Sequence, residues 1–157
     1  MLTIRKAREE DAKAVGRVHR EAIREQSRGH YTDEQIEAWT SPRPPGHFEK
    51  VIREKEMYVA EEDGEVVGFG GLHVEAGEVD AVFVSPAAAG RGVGLKLLWT
   101  VEERAREAGL KSLRLDASLN AIGFYERAGY ELKGMGERRL WNAAVIPCAH
   151  MSKEFAD

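Results

Sequence analysis

Apolar positions in the first part of the chain recur at helical spacing. After a short extended stretch from Leu2 to Arg5, residues Ala12, Val15, Val18, Ala22 and Ile23 share one stripe, which predicts a strand and then a helix from Glu9 to about Gln26. Ser27-Arg28-Gly29-His30 breaks that stripe. Thr32, with Gln35 three residues on, supplies a capping signal for a second short helix carrying Ile36 and Trp39. Ser41 to Gly46, with Pro42, Pro44 and Pro45, reads as a rigid, irregular surface segment, and Phe48, Val51 and Ile52 predict a further short helix.

From Met57 the pattern alternates. Met57 to Ala60, a turn at Asp63-Gly64, Val66 to Val74, a turn at Ala76-Gly77 and a third run ending at Val84 predict an antiparallel meander. A helix then runs to Gly109, its expected stop, and Lys111 to Ala117 alternates as a strand that a crossover can lay parallel to the preceding one. Ser118 caps a predicted helix over Leu119 to Ala128, ended by Gly129. Tyr130 to Leu132 starts another strand, and a last one is expected around Cys148 to Met151 with Pro147 at its edge. The order is β-α-α-β-β-β-α-β-α-β-β, an α/β fold with a mixed sheet.

The chain is organised around Glu78 to Ala108. A β-branched, aromatic strand (Val79, Val82, Phe83, Val84) meets a Ser85-Pro86 break, then Gly90-Arg91-Gly92-Val93-Gly94, then a helix. Helix-opening N–H groups have no helical partner, and glycines let main chain approach a ligand closely, so this loop suits a phosphate. A Rossmann fingerprint would need glycine at Leu95, and a Walker loop would need Gly-Lys-Ser/Thr where the chain has Leu95-Lys96-Leu97. Both are excluded.

Bulk properties narrow the reading further. At 157 residues the chain suits a single domain spanning residues 1–157, and no apolar run is long enough to span a bilayer. The N-terminus carries no apolar leader and Cys148 is the lone cysteine, which suits a soluble protein of the reducing cytoplasm. A net charge of −4 argues against nucleic acid as partner. His19, His30, His47 and His150 lack ligand spacing, and Cys148 with His150 alone makes no metal site, so no metal is expected.

The strand-turn-helix residues resemble the acyl-CoA-binding motif of the GNAT superfamily of N-acetyltransferases, Arg/Gln-x-x-Gly-x-Gly/Ala, on Ala89-Gly90-Arg91-Gly92-Val93-Gly94. Ala89 departs from the usual Arg or Gln, a position whose part in the family is mainly main-chain. A second element, Ala117 to Tyr130, resembles the family's Asn-x-x-Ala-x-x-φ-Tyr-x-x-x-Gly-φ (φ apolar) through Ala121, Phe124, Tyr125, Gly129 and Tyr130, with Ser118 where Asn is usual. Tyr31 to Trp39 before a proline-rich loop further resembles the YafP-like group of small prokaryotic acetyltransferases.

The resemblance implies acetyl-CoA as cosubstrate, an amine of a small molecule or protein as acceptor, and a sheet splayed between the motif strand and the next. It assigns the pantetheine arm to the main chain of Val82, Phe83 and Val84, the pyrophosphate to Ala89, Gly90, Arg91, Gly92, Val93 and Gly94, and a cofactor contact to Ser118. It makes Glu78 the first candidate base, six residues before Val84. Asp80 faces the same side as Glu78, and His73 in the neighbouring strand is a further candidate, otherwise expected to be buried. A primary ammonium with a pKa near ~10.4 needs such a base, and Tyr125, a phenol near ~10, can protonate a departing thiolate. The tryptophans Trp39, Trp99 and Trp141 are core or substrate-wall residues. A homodimer is allowed, and the competing reading is a non-catalytic acyl-CoA sensor.

Overall fold

The computed structural model describes residues Met1–Ala156. Seven strands, β1 (Leu2–Lys6), β2 (Glu56–Glu62), β3 (Glu65–His73), β4 (Glu78–Val84), β5 (Ser112–Ala117), β6 (Glu131–Arg139) and β7 (Val145–Glu154), form one sheet in the order β1-β2-β3-β4-β5-β7-β6. The helices are α1 (Ala12–Gln26), α2 (Asp33–Trp39), α3 (His47–Glu54), α4 (Val93–Glu107) and α5 (Ile122–Arg127). Only β4 and β5 pair in parallel; the other neighbours are antiparallel.

The further short helix expected at residues 48–52 is present, although the expected element order counts two helices between the first two strands instead of three. Between β1 and β2 lie α1, α2 and α3, the last begun by Gly46 at φ 81° directly after the prolines. The helix expected from Leu119 opens instead as a 3-10 turn, Leu119–Ala121, before α5. Strand β7 is longer than expected, and Pro147 lies within it rather than at its end. Pairing with β5 stops at Ala117↔Ala149, so Pro147 has a ladder neighbour only in β6, opposite Glu137, and its missing N–H costs little.

Each face of the sheet is covered. Leu98, Val101 and Ala105 of α4 pack with Leu72, Val79, Leu113, Leu115, Ala149 and Met151 on one side. Val15 and Val18 of α1 pack with Ile52, Val59 and Phe69 on the other. Burying each of the valine, leucine, isoleucine, methionine and phenylalanine side chains among them is worth about 1.5–3 kcal/mol. Glu102, on the buried side of α4, is an acid that helical periodicity alone does not explain. It accepts from the Tyr130 hydroxyl at 2.8 Å and from Lys153 Nζ at 3.2 Å, which compensates its loss of water.

Two irregularities of β4 create the site. Its pairing with β5 consists of Glu78↔Arg114 alone, after which the strands part. On the β3 side the register runs Leu72↔Val79 and then Gly71↔Ala81, which leaves Asp80 as an extra, bulged residue. Strict alternation would put Glu78 and Asp80 on the face of Val82, against α4. The bulge moves both to the face of Ala81 and Phe83.

Candidate active site

The cleft opened by the parting of β4 and β5 has a volume of about 660 Å³. Val82 and Val84 form one wall, Phe124 and Tyr125 of α5 the other, and the loop before α4 its end. Gly90 and Gly92 both hold φ at 80°, and a Cβ at either would touch nothing within 4 Å, so the requirement for glycine is one of backbone conformation. The first bond into α4 is Lys96 N–H to the Gly92 carbonyl, 3.1 Å. The amides of Val93, Gly94 and Leu95, all lining the cleft, therefore have no helical acceptor and carry the positive end of a 15-residue helix. At Gly94 a Cβ would lie 3.4 Å from Phe124 and 3.5 Å from Val84, ordinary packing distances, so space alone does not demand glycine there.

Tyr125 is buried, its ring edge-on to Phe124 at 5.0 Å and Tyr130 at 5.7 Å. Burial pushes its phenol well above the ordinary value, so it is held as a neutral proton donor. Asn120 projects an amide into the same cleft, and its Oδ1 is buried without a hydrogen-bond partner. Gln26 of α1 reaches across from below and donates to the Val84 carbonyl at 3.3 Å.

A second cavity, about 500 Å³, lies on the opposite face of β4. Its apolar floor is Phe48, Phe69 and Phe83, and its charged groups come from the proline loop, α3, β4, β5 and β6. Asp80 Oδ1 accepts from Lys55 Nζ at 3.3 Å, while Asp80 Oδ2 is buried with no partner. Glu78 is tied to Arg114 at 2.9 Å, across the single point where β4 and β5 pair. His19, ringed by Phe48 (5.7 Å) and Phe83 (5.2 Å), has its pKa pushed down to about 3 by burial and then by Arg43 and Arg138, so its imidazole is neutral. His47 is lowered by the same causes, burial first and Arg43 next.

Residues 7–130 match the family model described as Acetyltransferase (GNAT) family. The chain belongs to the GNAT family. An IAA acetyltransferase of Azospirillum brasilense is 36% identical over 83 residues, which is 48% of this chain and 54% of that protein. The chain thus spans about half the length of the curated relatives it matches. A crystal structure of a GCN5-related N-acetyltransferase from Rhodopseudomonas palustris superposes with a TM-score of 0.90 at 27% identity, covering 98% of this chain and 95% of that one. The PaiA N-acetyltransferase of Thermoplasma acidophilum, solved in complex with coenzyme A, shares the fold with a TM-score of 0.77 at 24% identity, covering 99% of each chain. These relatives do not separate the YafP-like group from the rest of the family.

Set in this GNAT framework, the residues expected from sequence divide clearly. Val82, Val84, Ala89, Gly90, Gly92, Val93, Gly94 and Tyr125 line the cleft. The side chain of Phe83 turns to the second cavity, and Arg91 swings out to Glu62 (2.8 and 3.0 Å), leaving only its main chain near the loop. Ser118 does not line the cleft and makes no side-chain cap; the amide that enters it is Asn120, two residues on, because the intervening turn is 3-10. Glu78 and Asp80 come together in the second cavity. His73 corrects an expectation: it is exposed where β3 ends opposite Glu78, and lines neither cavity. Trp39 is core, whereas Trp99 and Trp141 are exposed.

Cys148 is buried as expected, but Asp116 of β5 joins it and His150, the three ligand atoms lying within 4.8 Å of one another. Asp116 Oδ1 and His150 Nδ1 are 2.7 Å apart, and burial followed by Asp116 pushes the thiol up, away from the thiolate that a metal takes. Sequence reasoning did not single out Gln26, Asn120, Arg43, Arg138 or Asp116 for the site. The only sequence signal at any of them is Arg43 amid prolines, which fix the chain around it.

Proposed function

We propose that this GNAT protein transfers an acetyl group from acetyl-CoA to a primary amine by direct attack in a ternary complex. The observation that carries the reading is the pair of cavities on opposite faces of β4: one built from glycines, helix-opening amides and a neutral phenol, the other holding a buried carboxylate oxygen with no partner. Acetyl-CoA enters as cosubstrate, and the cleft fits it in kind. Free amides at the start of α4 suit a pyrophosphate, the parted edge of β4 suits the amide-bearing pantetheine arm, and Asn120 offers an unpartnered acceptor.

On the other face, Asp80 takes the proton of the incoming ammonium. Asp80 is preferred to Glu78 because Arg114 holds the Glu78 carboxylate, whereas Asp80 keeps an oxygen free and lies two residues nearer Val82. Attack by the freed amine forms the C–N bond, and the C–S bond breaks. Tyr125 gives its phenolic proton to the departing sulfur, and the second proton lost by the nitrogen restores the phenol. His19 is a poor base for the ammonium, since burial among Phe48 and Phe83 opposes the imidazolium it would become on taking the proton. The sheet running from β1 to β6 carries every element, and we read residues 1–156 as one domain.

The test is twofold. CoA at millimolar concentration should raise the melting temperature, because a ligand bound only by the folded state stabilises it. Acetyl-CoA consumption across a panel of amino acids, polyamines, aminoglycosides and N-terminal peptides should then find an acceptor. A folded protein whose melting does not respond to CoA refutes the reading.

A further inference from the structure

Four buried side-chain polar atoms lack a hydrogen-bond partner among the described residues: Trp39 Nε1, Arg43 Nε, Asp80 Oδ2 and Asn120 Oδ1. Asn120 belongs to the CoA cleft. Arg43 and Asp80, of opposite charge, both line the cavity on the other face of β4. Leaving such an atom dry and unpaired forfeits the hydrogen bonds it had in water, at a cost that grows when the group is charged. A partner from outside the chain would relieve both.

The basic end is built with care. Arg43 Nη1 donates to the carbonyls of Trp39 at 2.6 Å and Ser41 at 3.0 Å, and its guanidinium lies 5.6 Å from the ring centre of Trp141. Three prolines stiffen the loop that bears it, so its position is set before any ligand arrives. Arg138 enters from β6, where its main chain pairs with β7, and its side chain makes no hydrogen bond or ion pair among the described residues. The two guanidiniums are close enough that Arg138, after burial itself, pushes the pKa of Arg43 down, and both act on His19.

Neighbouring carboxylates do not neutralise them. Asp80 turns to Lys55, Glu78 to Arg114 and Asp116 to His150, while Glu137, also on the lining, is exposed and pairs with neither arginine. Arg139, at the rim, is exposed as well. Two half-buried guanidiniums that line one cavity, neither paired with a carboxylate, offer forked donors that match the oxygens of a carboxylate or phosphate.

We propose that the acceptor is a small amine bearing an anionic group, whose carboxylate, phosphate or phosphonate docks on Arg43 and Arg138 while its ammonium faces Asp80. This inference rests on the acetyl-transfer reading for the identity of the amine as acceptor. The cavity of about 500 Å³ suits a small molecule, and its phenylalanine floor suits a short alkyl or ring spacer between the two charges.

The experiment is calorimetric titration of the CoA-loaded protein with ω-amino carboxylates of graded length, the matching aminoalkylphosphonates and the matching amino alcohols, followed by acetylation assays on the same compounds. A charge-assisted pair of contacts predicts binding about 10–100-fold tighter for one anionic series than for its amino alcohols. The better of the two series identifies the anion. R138Q removes a side chain that holds nothing else in the free protein, and should erase the preference without lowering the melting temperature; R43Q should do the same with some loosening of the loop. Amino alcohols that bind as tightly as their anionic partners, a preference that survives both substitutions, or no binding by any compound would each overturn the inference. Selective anionic binding without acetyl transfer would overturn the acetyl-transfer reading and leave the anion site standing. Rapid transfer to the neutral amines alone would do the reverse.

Discussion

The two faces of β4 are built by opposite means. The cleft under α4 is largely main chain: glycines at positive φ, amides left over by a helix start, and the unpaired edge of a strand, walled by apolar side chains. The cavity on the other side is almost wholly side chain, with His19, Arg43, His47, Lys55, Asp80 and Arg138 drawn from distant parts of the chain. Main-chain recognition needs a particular local conformation and so leaves a local motif. Side-chain recognition needs only that charges converge in space, and leaves residues scattered through the sequence. A cosubstrate shared across a family can be held by the first means, while the second leaves the acceptor free to differ.

Substitutions on each side should separate these modes. The largest effect is expected for Gly92→Asp. It forces a Cβ onto φ 80° and puts negative charge where the pyrophosphate belongs, so CoA-induced stabilisation in thermal melts should vanish. Retention of that stabilisation would mean that the α4 start is not the phosphate site. Tyr125→Phe keeps the ring that packs between Phe124 and Tyr130 and removes only the hydroxyl. Turnover should fall by roughly 10²–10⁴-fold with CoA affinity unchanged, and undiminished turnover would return Tyr125 to a packing role and reopen the sensor alternative.

On the acceptor side, Asp80→Asn should cost about 10²-fold in kcat/KM at neutral pH, with the rate recovering at high pH as the amine deprotonates unaided. Glu78→Gln should cost less than about tenfold, since Arg114 already holds that carboxylate; the reverse ranking in a pH–rate profile would make Glu78 the base. A smaller effect concerns stability. The folded-state pKa of His19 is depressed to about 3 from 6.5, so the unfolded chain takes up that proton first and stability drains away as pH falls from about 6.5 toward 3. Urea melts of wild type and His19→Gln across that window should show the wild type losing more stability on acidification. Parallel curves would mean that the imidazole is not held neutral. The smallest effect is expected for Ala89→Arg, which should bind CoA like the wild type; lost binding in a protein of unchanged melting temperature would show that the position contributes more than main chain.

The strands, the meander and the α4 start were legible because each follows from local rules: alternation, turn residues, glycines ahead of a helical stripe; Tyr125 was singled out through the family resemblance. Where a local rule misled, a tertiary contact had overruled it. Ser118 reads as a cap from its neighbours, yet the 3-10 turn after it hands the cleft to Asn120. His73 reads as a buried strand residue, yet it falls at the open end of β3. Glu78 and Asp80 share a face as period-two spacing requires, but which face depends on a bulge that exists only in the pairing of β3 with β4.

From its sequence alone this chain reads as a GNAT-type sheet with a glycine loop ahead of α4, since such a loop is specified by φ angles and missing side chains over a few consecutive residues. The tertiary structure decided what gathers on the other face of β4. Arg43 and Arg138 lie far apart in the chain, and their mutual repulsion, their lack of a counter-charge and the free oxygen of Asp80 beside them arise only when the proline loop, β4 and β6 fold around one cavity.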